Sequence, residues 1–407
     1  MSKAEPIRIR DILRTPEIRA AMLGTFVIML GFGILSPVLP NYARSFGVGY
    51  DSVGLLISSF SLARLIADPF VGRYIDRYGE RSMATLGAAW VGLSSVAAGL
   101  SPNFTLLVIT RAVGGVGSAL FFAALLSFLL RTVPQARAGR VMSVYFASFN
   151  LGFIAGGPLG GLIARWFGLA SPLYIYAVAC FVAAWMFWRT IRNPERHHEE
   201  VRRGGLRLLP WNRSFVTVLV VNGVYLWMIG AVFQTLVPLF GTEELSLTLS
   251  GVGLGLAITT ATELAALYPA GHATDHRGRR AVLIPALAGL AIAIAAFGLT
   301  STTAAFFIAM GVLGVASGYA GVPPAPMLSD VTPQELKGSG VAVFRFAGDL
   351  GFVLGPLVAG WSADAFGFGP AFAITALPAV IALGLVLSIP ETLRRSPALD
   401  ETGDASH

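Results

Sequence analysis

The chain has 407 residues, of which 55% are hydrophobic and 13% charged, and its mean hydropathy is +0.71. A soluble domain cannot hide that much apolar surface, so lipid must solvate much of it, and a soluble enzyme is excluded. The net charge of +7 reports on membrane topology rather than on nucleic acid, because the charges fall between apolar runs.

Twelve apolar runs are long enough for a helix to cross a bilayer core of about 30 Å, which takes roughly 20 residues. The sequence therefore predicts an all-α membrane protein with twelve transmembrane helices in two pseudo-symmetric six-helix bundles. The predicted spans are 20–43, 52–72, 82–101, 104–129, 140–166, 171–190, 214–240, 249–270, 281–300, 302–328, 338–365 and 370–390.

The charged residues outside the spans predict an integral plasma-membrane (inner-membrane) protein with both termini in the cytoplasm. In this orientation most of the 29 Lys and Arg residues face inward, whereas Arg44 and Arg165 lie in outside loops. The basic N-terminus shows no cleavage site of a removable signal peptide. The single cysteine, Cys180, lies within a span and has no partner for an intramolecular disulfide.

An internal repeat relates the two halves at an offset of 199 residues. The segment from Gly72 to Asp76 matches the segment from Gly271 to Asp275, and the Pro-Gln pair at 134 matches the pair at 333. Because each half has an even number of spans, both halves have the same orientation and enclose a central cavity.

The repeat predicts a domain division into an N-terminal bundle, 1–190, a cytoplasmic linker, 191–213, and a C-terminal bundle with a short tail, 214–407. Two adjacent histidines in the linker, His197 and His198, are the weak candidate for a metal site. We expect no metal there, because no further ligands accompany them.

Two motifs carry a family resemblance. The loop after the second span reads Gly72-Arg-Tyr-Ile-Asp76-Arg77-Tyr-Gly-Glu-Arg81, and the fourth span carries Arg111-Ala-Val-Gly-Gly. With the repeat, these residues resemble the major facilitator superfamily, whose signature in this loop is a glycine, an aspartate four residues later, and then Arg-x-Gly-Arg-Arg. The resemblance implies transport by rocking of the halves, and for Arg111 it implies a part in proton coupling.

The same resemblance implies an interdomain lock at the cytoplasmic side. In the family fold, Asp76 would accept hydrogen bonds from free N–H groups near residues 338–340, at the start of the eleventh span, where the helix dipole favours an anion. The alternative is that the loop arginines only enforce topology. The candidate gating residues are Gly72, Asp76, Arg77, Arg81, Arg64, Arg345, Gly271 and Asp275.

The fifth span is similar to the glycine-proline motif of drug:proton antiporters, with its proline displaced by one residue. Glycines four apart let helices pack closely, and a proline permits bending, which suits a gate as well as it suits simple helix packing. The motif residues are Gly152, Gly156, Gly157, Pro158, Gly160 and Gly161.

Six charged residues lie within the predicted spans and away from the span ends, where each costs roughly 2.5–3.5 kcal/mol near a helix centre unless it has a partner or faces water. They are Arg64, Asp68, Arg111, Glu263, Arg345 and Asp349. The family fold places the second and eleventh spans side by side and antiparallel. This arrangement predicts that Asp68 meets Arg345 and that Arg64 meets Asp349, with pairing inside each helix as the alternative.

The repeat singles out Glu263 as the leading proton site. Glu263 occupies the position equivalent to Arg64, and Asn150 occupies the position equivalent to Asp349, so Glu263 has no matching cation. Low dielectric disfavours a charged carboxylate without a cation, which is the property that a proton carrier needs. Asp349 and Asp68 follow as candidates, and the alternative is a solvated or structurally paired Glu263.

The central cavity is expected to bind a mostly apolar compound through aromatic and neutral polar residues. The candidates are Phe122, Tyr145, Phe149, Asn150, Tyr225, Trp227, Gln234, Tyr319 and Phe346. The sequence contains no HExxH motif and no phosphate-binding loop, so we expect neither a cofactor nor an ATP-driven pump.

The combined prediction is a proton-coupled, monomeric efflux transporter of a small amphipathic compound, with protons and the lipid bilayer as its other partners. The alternatives are a proton-coupled importer or facilitator of a small metabolite, and a transport-inactive membrane sensor.

Overall fold

A computed structural model describes residues 15–133, 135–192 and 206–393. All regular elements in these residues are helical, and twelve helices are long and apolar enough to cross a membrane. They are α1 Pro16–Leu35, α2 Tyr50–Tyr78, α3 Glu80–Gly99, α4 Phe104–Thr132, α5 Gln135–Phe167, α6 Ser171–Thr190, α7 Arg213–Glu243, α8 Leu249–Arg277, α9 Arg279–Phe297, α10 Thr303–Val331, α11 Lys337–Phe366 and α12 Phe368–Leu387. The predicted all-α, twelve-helix fold is confirmed. Most of the predicted linker, including His197 and His198, lies outside the described residues.

Prolines interrupt two of the spans. The first predicted span contains a turn after Leu35, and a short helix, Leu39–Arg44, completes it. Within α10, the helix stops at Gly321 and resumes at Pro324. Because proline lacks an N–H group, each break falls where the sequence supplies prolines, at Pro37 and Pro323.

A π-helical segment, Ile229–Leu236, lies in the middle of α7. Such wide turns inside α-helices are frequent at functional sites. Here the segment faces α11, because a Cβ added at Gly230 would lie 3.0 Å from the ring of Pro356. Thr235 satisfies one freed backbone group by donating its hydroxyl to the Gly230 carbonyl at 2.9 Å.

The 199-residue repeat is visible in the backbone. Gly79 and Gly278 end α2 and α8 with φ of +84° and +109°, a conformation that favours glycine. Gly168 and Gly367 separate the last two helices of each half with φ of +89° and +79°. The two halves therefore turn the chain at equivalent positions.

We call the end of the bundle at which α1 begins the terminal side, and the opposite end the far side. The halves meet along two antiparallel helix pairs, α2 with α11 and α5 with α8. Both pairs contact most closely on the far side. A Cβ added at Gly54 would lie 2.1 Å from the Pro356 carbonyl oxygen, and one at Gly253 would lie 1.9 Å from the Gly157 carbonyl oxygen.

A cluster of polar contacts, here called the far-side clasp, joins the halves at this end. Arg44 pairs with Glu243 at 3.1 Å, and the Tyr50 hydroxyl donates to the same carboxylate. Thr242 and Asn41 are hydrogen-bonded at 3.0 Å. Arg44 and Glu243 are themselves 199 residues apart, so this ion pair joins equivalent positions of the two repeats.

The cleft between the halves opens towards the terminal side. A Cβ added at Gly72 or at Gly271 would meet no atom within 4 Å, in contrast to the crowded glycines of the far side. Phe146 of α5 and Phe346 of α11 are 53% and 52% exposed. The structure therefore represents a state that is closed on one side and open on the other.

Candidate functional site

An ion pair crosses the interface between α2 and α11 at mid-depth. Towards the far side, the Ser58 hydroxyl donates to the Val353 carbonyl at 2.6 Å, which fixes the register of the two helices. Two turns closer to the terminal side, the Arg64 guanidinium pairs with the Asp349 carboxylate. The Asp349 side chain is only 9% exposed and that of Arg64 26%, so the pair is largely withdrawn from water.

The next turn adds a second carboxylate and a second arginine. Asp68 lies within hydrogen-bonding reach of Asp349 and interacts electrostatically with Arg64 and Arg345. Arg345 is exposed to the open cleft. These four residues form a cluster that joins the two halves. We call it the four-charge cluster.

The equivalent depth of the other interface is built differently. The Asn150 amide donates to the Phe146 carbonyl of its own helix at 2.8 Å. Glu263 of α8 accepts a hydrogen bond of 2.5 Å from the Tyr225 hydroxyl of α7, and the Ser317 hydroxyl of α10 is also within reach. Among the described residues, no lysine or arginine pairs with Glu263. Its carboxyl group is therefore held by neutral donors of the C-terminal half.

The contribution of Tyr225 and Ser317 to this site is not evident from the sequence. Tyr225 is expected only as a cavity aromatic, and Ser317 is not a candidate at all. Both are polar residues in otherwise apolar spans, which is the signal that could have pointed to them. A Cβ added at Gly318 would lie 2.8 Å from the Glu263 carbonyl oxygen, so α8 and α10 are in close contact here.

Arg111 lies inside the N-terminal half. It is 2% exposed, and its guanidinium lies 4.6 Å from the centre of the Phe60 ring. Its other neighbours include Tyr176 and Cys180 of α6. Within the described part of the chain, its Nε and Nη1 atoms have no hydrogen-bond partner. Among the described residues, this cation is thus stabilised by an aromatic ring rather than by a carboxylate.

The loop motif forms ion pairs within the N-terminal half. Arg131 at the end of α4 pairs with Asp76 at 3.3 Å and with the buried Glu80 at 2.9 Å. Arg81 lies 4.3 Å above the Trp188 ring, and Arg77 lies 5.2 Å from the Tyr78 ring. The predicted contact of Asp76 with the start of α11 stays a prediction.

The second half has the same arrangement with the charges exchanged. Arg279, equivalent to Glu80, pairs with Asp330, equivalent to Arg131, at 3.1 Å. Asp275 joins Arg279 at 3.4 Å. In both halves an ion pair therefore ties the start of the third helix to the end of the fourth.

The glycines of α5 divide into two stripes. Gly152, Gly156 and Gly160 face α1, where an added Cβ would lie 2.1–2.5 Å from backbone oxygen atoms. Gly157 and Gly161 face α8 of the other half, and an added Cβ at Gly161 would lie 1.9 Å from a backbone nitrogen. Pro158 lies inside the continuous helix. The glycines of the motif therefore let α5 pack closely both against α1 of its own half and against α8 of the other half.

The cavity candidates differ in what their side chains contact. Phe122 and Phe149 pack together with ring centres 6.0 Å apart. Gln234 in the π-helical segment accepts a hydrogen bond of 3.1 Å from Ser36, which closes the cleft on the far side. Tyr145 is buried at 4% exposure.

Two cavity candidates face other parts of the molecule. The Trp227 indole donates to the Thr375 carbonyl of α12 at 3.1 Å. Tyr319 lines a crevice on the outer face of the C-terminal half. Because these spans are apolar on most faces, periodicity does not determine their rotation about the helix axis.

Comparisons with known proteins agree with this architecture. The family model described as Major Facilitator Superfamily matches residues 21–259 and 227–405. The chain belongs to the major facilitator superfamily. It is therefore a membrane transporter and not an enzyme.

The relatives in this superfamily include proteins named for drug resistance. An uncharacterized MFS-type transporter of Methanocaldococcus jannaschii is 25% identical over 88% of this chain and 94% of its own length. Multidrug resistance protein 2 of Bacillus subtilis is 30% identical over 39% of this chain and 40% of its own length. Quinolone resistance protein NorA of Staphylococcus aureus is 25% identical over 60% of this chain and 62% of its own length. The alignments thus cover less than two thirds of the two drug-resistance proteins.

Solved structures with this fold include transporters of several kinds. A bacterial homologue of the human lysosomal transporter Spinster, in an inward-facing and occupied conformation, has a TM-score of 0.81 at 17% identity and is covered over 99% of its length, against 95% of this chain. The nucleoside transporter NupG has a TM-score of 0.77 at 14% identity, over 99% of its length and 91% of this chain. At these identities the likeness shows the fold alone.

Proposed function

We propose that this protein exports a small amphipathic, drug-like compound in exchange for protons, by alternating access of the cleft between its halves. The observation that carries the proposal is Glu263, a carboxyl group in the membrane that is bonded to Tyr225 and has no cationic partner in the described part of the chain. A carboxyl group held by neutral donors in low dielectric can be neutralised by a proton without breaking an ion pair.

The environment of Glu263 supports a role in coupling. Tyr225 belongs to α7, whose π-helical segment also reaches across the cleft to Ser36 through Gln234. Loss of the carboxylate charge would weaken the Tyr225 hydrogen bond, because charge-assisted bonds are roughly twice as strong as neutral ones. Protonation of Glu263 therefore acts on the same helix that closes the far side.

The apolar, aromatic character of the cleft supports an amphipathic cargo. Phe122 and Phe149 offer ring faces, and few polar groups accompany them. The names of the bacterial relatives, multidrug and quinolone resistance proteins, point to the same class of compound.

The proposed topology assigns the open end of the cleft to one side of the membrane. With both termini in the cytoplasm, the terminal side is the cytoplasmic side and the observed state is inward-facing. The far-side clasp must then open to release cargo outside. The loop around Asp76 would close the cytoplasmic side in the opposite state.

Proton flux in proteoliposomes tests the proposal. Purified protein is reconstituted with a pH-sensitive dye inside, and lipophilic cations and neutral amphiphiles are added to the wild type, Glu263→Gln and Glu244→Gln. We expect compound-driven flux in the wild type and in the control variant, whose glutamate is exposed outside the membrane. The flux should be lost in Glu263→Gln.

Other outcomes would redirect the assignment. Flux retained in Glu263→Gln would overturn the role of that residue and move it to Asp349 or Asp68. Compound entry driven by inward proton movement would indicate an importer. No flux with any compound, despite folded protein, would favour facilitated diffusion or a sensor and contradict proton-coupled export.

A further inference from the structure

A crevice on the outer face of the C-terminal half lies outside the transport path described above. It is formed by α8, α9 and α10 and encloses about 700 Å³. Six of its fourteen lining residues are alanine or glycine, and Ile308 and Val312 at its rim are 69% and 51% exposed, where the bilayer would surround them. The small residues are Ala273, Ala281, Ala286, Gly289, Gly311 and Ala316.

The crevice runs from the membrane surface into the hydrocarbon core. Arg277 at the end of α8 lies at its terminal-side opening, and Thr262 lies at its inner end. These residues are separated by about 22 Å of helix at 1.5 Å per residue, which exceeds half of a hydrocarbon core of about 30 Å. The length suits a chain that belongs to one leaflet.

The same place in the N-terminal half is filled by aromatic side chains. The positions equivalent to Ala273, Arg277 and Gly289 are occupied by Tyr74, Tyr78 and Trp90. The two tyrosine rings stack at 6.4 Å and 12°.

The Trp90 side chain is anchored in its groove. Its indole donates to the Val113 carbonyl at 3.0 Å, and its side chain packs against Gly117. At Gly289, in contrast, an added Cβ would meet nothing within 4 Å. The crevice is therefore a feature of one half and not of the fold.

Three arginines lie near the opening, together with the Glu391 carboxylate, which accepts hydrogen bonds from the backbone N–H groups of Arg279 and Arg280. Of the three neighbouring arginines, Arg279 pairs with Asp330, and Arg280 donates to the carbonyls of Val386 and Leu387. Arg277 forms no ion pair among the described residues. An arginine without a carboxylate at the membrane surface attracts anionic headgroups.

We propose that the crevice binds an anionic phospholipid from the terminal-side leaflet, with one acyl chain along the small residues and the phosphate against Arg277. The apolar floor excludes water and favours a hydrocarbon chain. The Arg277 guanidinium supplies several donors in a planar fork that matches a phosphate group.

Native mass spectrometry of the full chain in detergent tests the proposal, with phosphatidylglycerol and phosphatidylcholine of identical acyl chains as probes. The wild type should retain phosphatidylglycerol preferentially. Gly289→Trp, which introduces the residue found at Trp90, should lose the bound lipid. Gly384→Trp is the matched control, because a Cβ added at this exposed glycine of α12 also meets nothing within 4 Å.

A charge variant separates headgroup recognition from chain binding. Arg277→Gln should weaken phosphatidylglycerol binding roughly fivefold and leave phosphatidylcholine unchanged. Gly289→Leu provides a second filling variant should the tryptophan reduce the yield of folded protein. Equal lipid retention by wild type and both filling variants would overturn the proposed site, and an unchanged lipid preference in Arg277→Gln would overturn the headgroup assignment.

Discussion

The α2–α11 and α5–α8 interfaces are formed by equivalent helices of the two repeats, but their polar residues differ at mid-depth in the membrane. On the far side both are sealed by glycines against backbone, as at Gly54 and Gly253. At mid-depth the first carries the ion pair of Arg64 with Asp349, whereas the second carries Glu263 bonded to a tyrosine of its own half. The two interfaces therefore share their close helix packing but differ in the polar residues at mid-depth.

The same contrast recurs elsewhere in the two halves. The ion pair of Glu80 with Arg131 is matched by that of Arg279 with Asp330, with the charges exchanged. The two ion pairs occupy equivalent positions because the two halves have the same backbone fold. The sign of each charge can differ between the halves, because an ion pair requires only that its two charges are opposite. The difference at Glu263 is of another kind, because its carboxyl group contacts the Tyr225 hydroxyl and pairs with no lysine or arginine among the described residues.

The largest effect on stability is expected from Asp349→Ala. The substitution leaves the Arg64 guanidinium without its carboxylate in a largely buried site, which costs about 3 kcal/mol when a buried pair is broken. Unfolding in detergent should show this loss. The double variant Arg64→Leu with Asp349→Leu should recover most of it, because both charges of the pair are removed and Asp68 still interacts with Arg345. If the destabilisation of the double variant equals the sum of those of Arg64→Leu and Asp349→Leu alone, the pairing is contradicted.

A smaller effect is expected from Gly253→Ala on the α5–α8 interface. The added Cβ would lie 1.9 Å from the Gly157 carbonyl oxygen and force the helices apart, at about 1–3 kcal/mol for overpacking. Gly271→Ala in the same helix is the control, since its Cβ meets nothing within 4 Å in this state. Equal melting temperatures of the two variants would refute the close contact.

Charge exchange in the N-terminal half tests whether only complementarity matters at the third helix. Glu80→Arg and Arg131→Asp alone should each destabilise the protein, and together they reproduce the arrangement of Arg279 with Asp330. A double-mutant cycle should give a coupling of about 1–2 kcal/mol. A coupling near zero would show that the two sites have diverged in more than sign.

The smallest energetic effect is expected from Glu243→Gln in the far-side clasp. The pair with Arg44 is about one-third exposed on each side, and such pairs contribute about 0.2–1 kcal/mol. That is enough to raise the population of the state that is open on the far side severalfold. Labelling of a cysteine introduced at Ser52 should therefore accelerate, and the buried Cys180 adds little background. An unchanged labelling rate would argue against a gating role.

The sequence is sufficient for the number of helices and for the repeat, because length, hydropathy and the matched Gly72 and Gly271 segments depend on local pattern alone. It is insufficient for the orientation of individual side chains. Trp227 and Tyr319 are expected in the central cavity, and the structure turns them towards α12 and the outer crevice. Spans that are apolar all round give little rotational signal.

The sequence also does not predict which residues of different helices contact each other. The 199-residue repeat identifies Glu263 as a carboxylate without a matching cation, but the repeat does not show that Tyr225, 38 residues earlier in the chain, is its hydrogen-bond partner. The far-side clasp is likewise invisible in sequence, because Arg44 and Glu243 lie in different halves and meet only through the fold.

The most direct test of the account separates coupling from transport. Proteoliposomes containing wild type or Glu263→Gln are loaded with unlabelled tetraphenylphosphonium, and uptake of the labelled cation is measured with equal pH on both sides and with a pH gradient. If Glu263 is the proton site, Glu263→Gln should retain exchange at equal pH and lose the accumulation driven by the gradient. Accumulation as strong as in the wild type would contradict the assignment of Glu263 as the proton site.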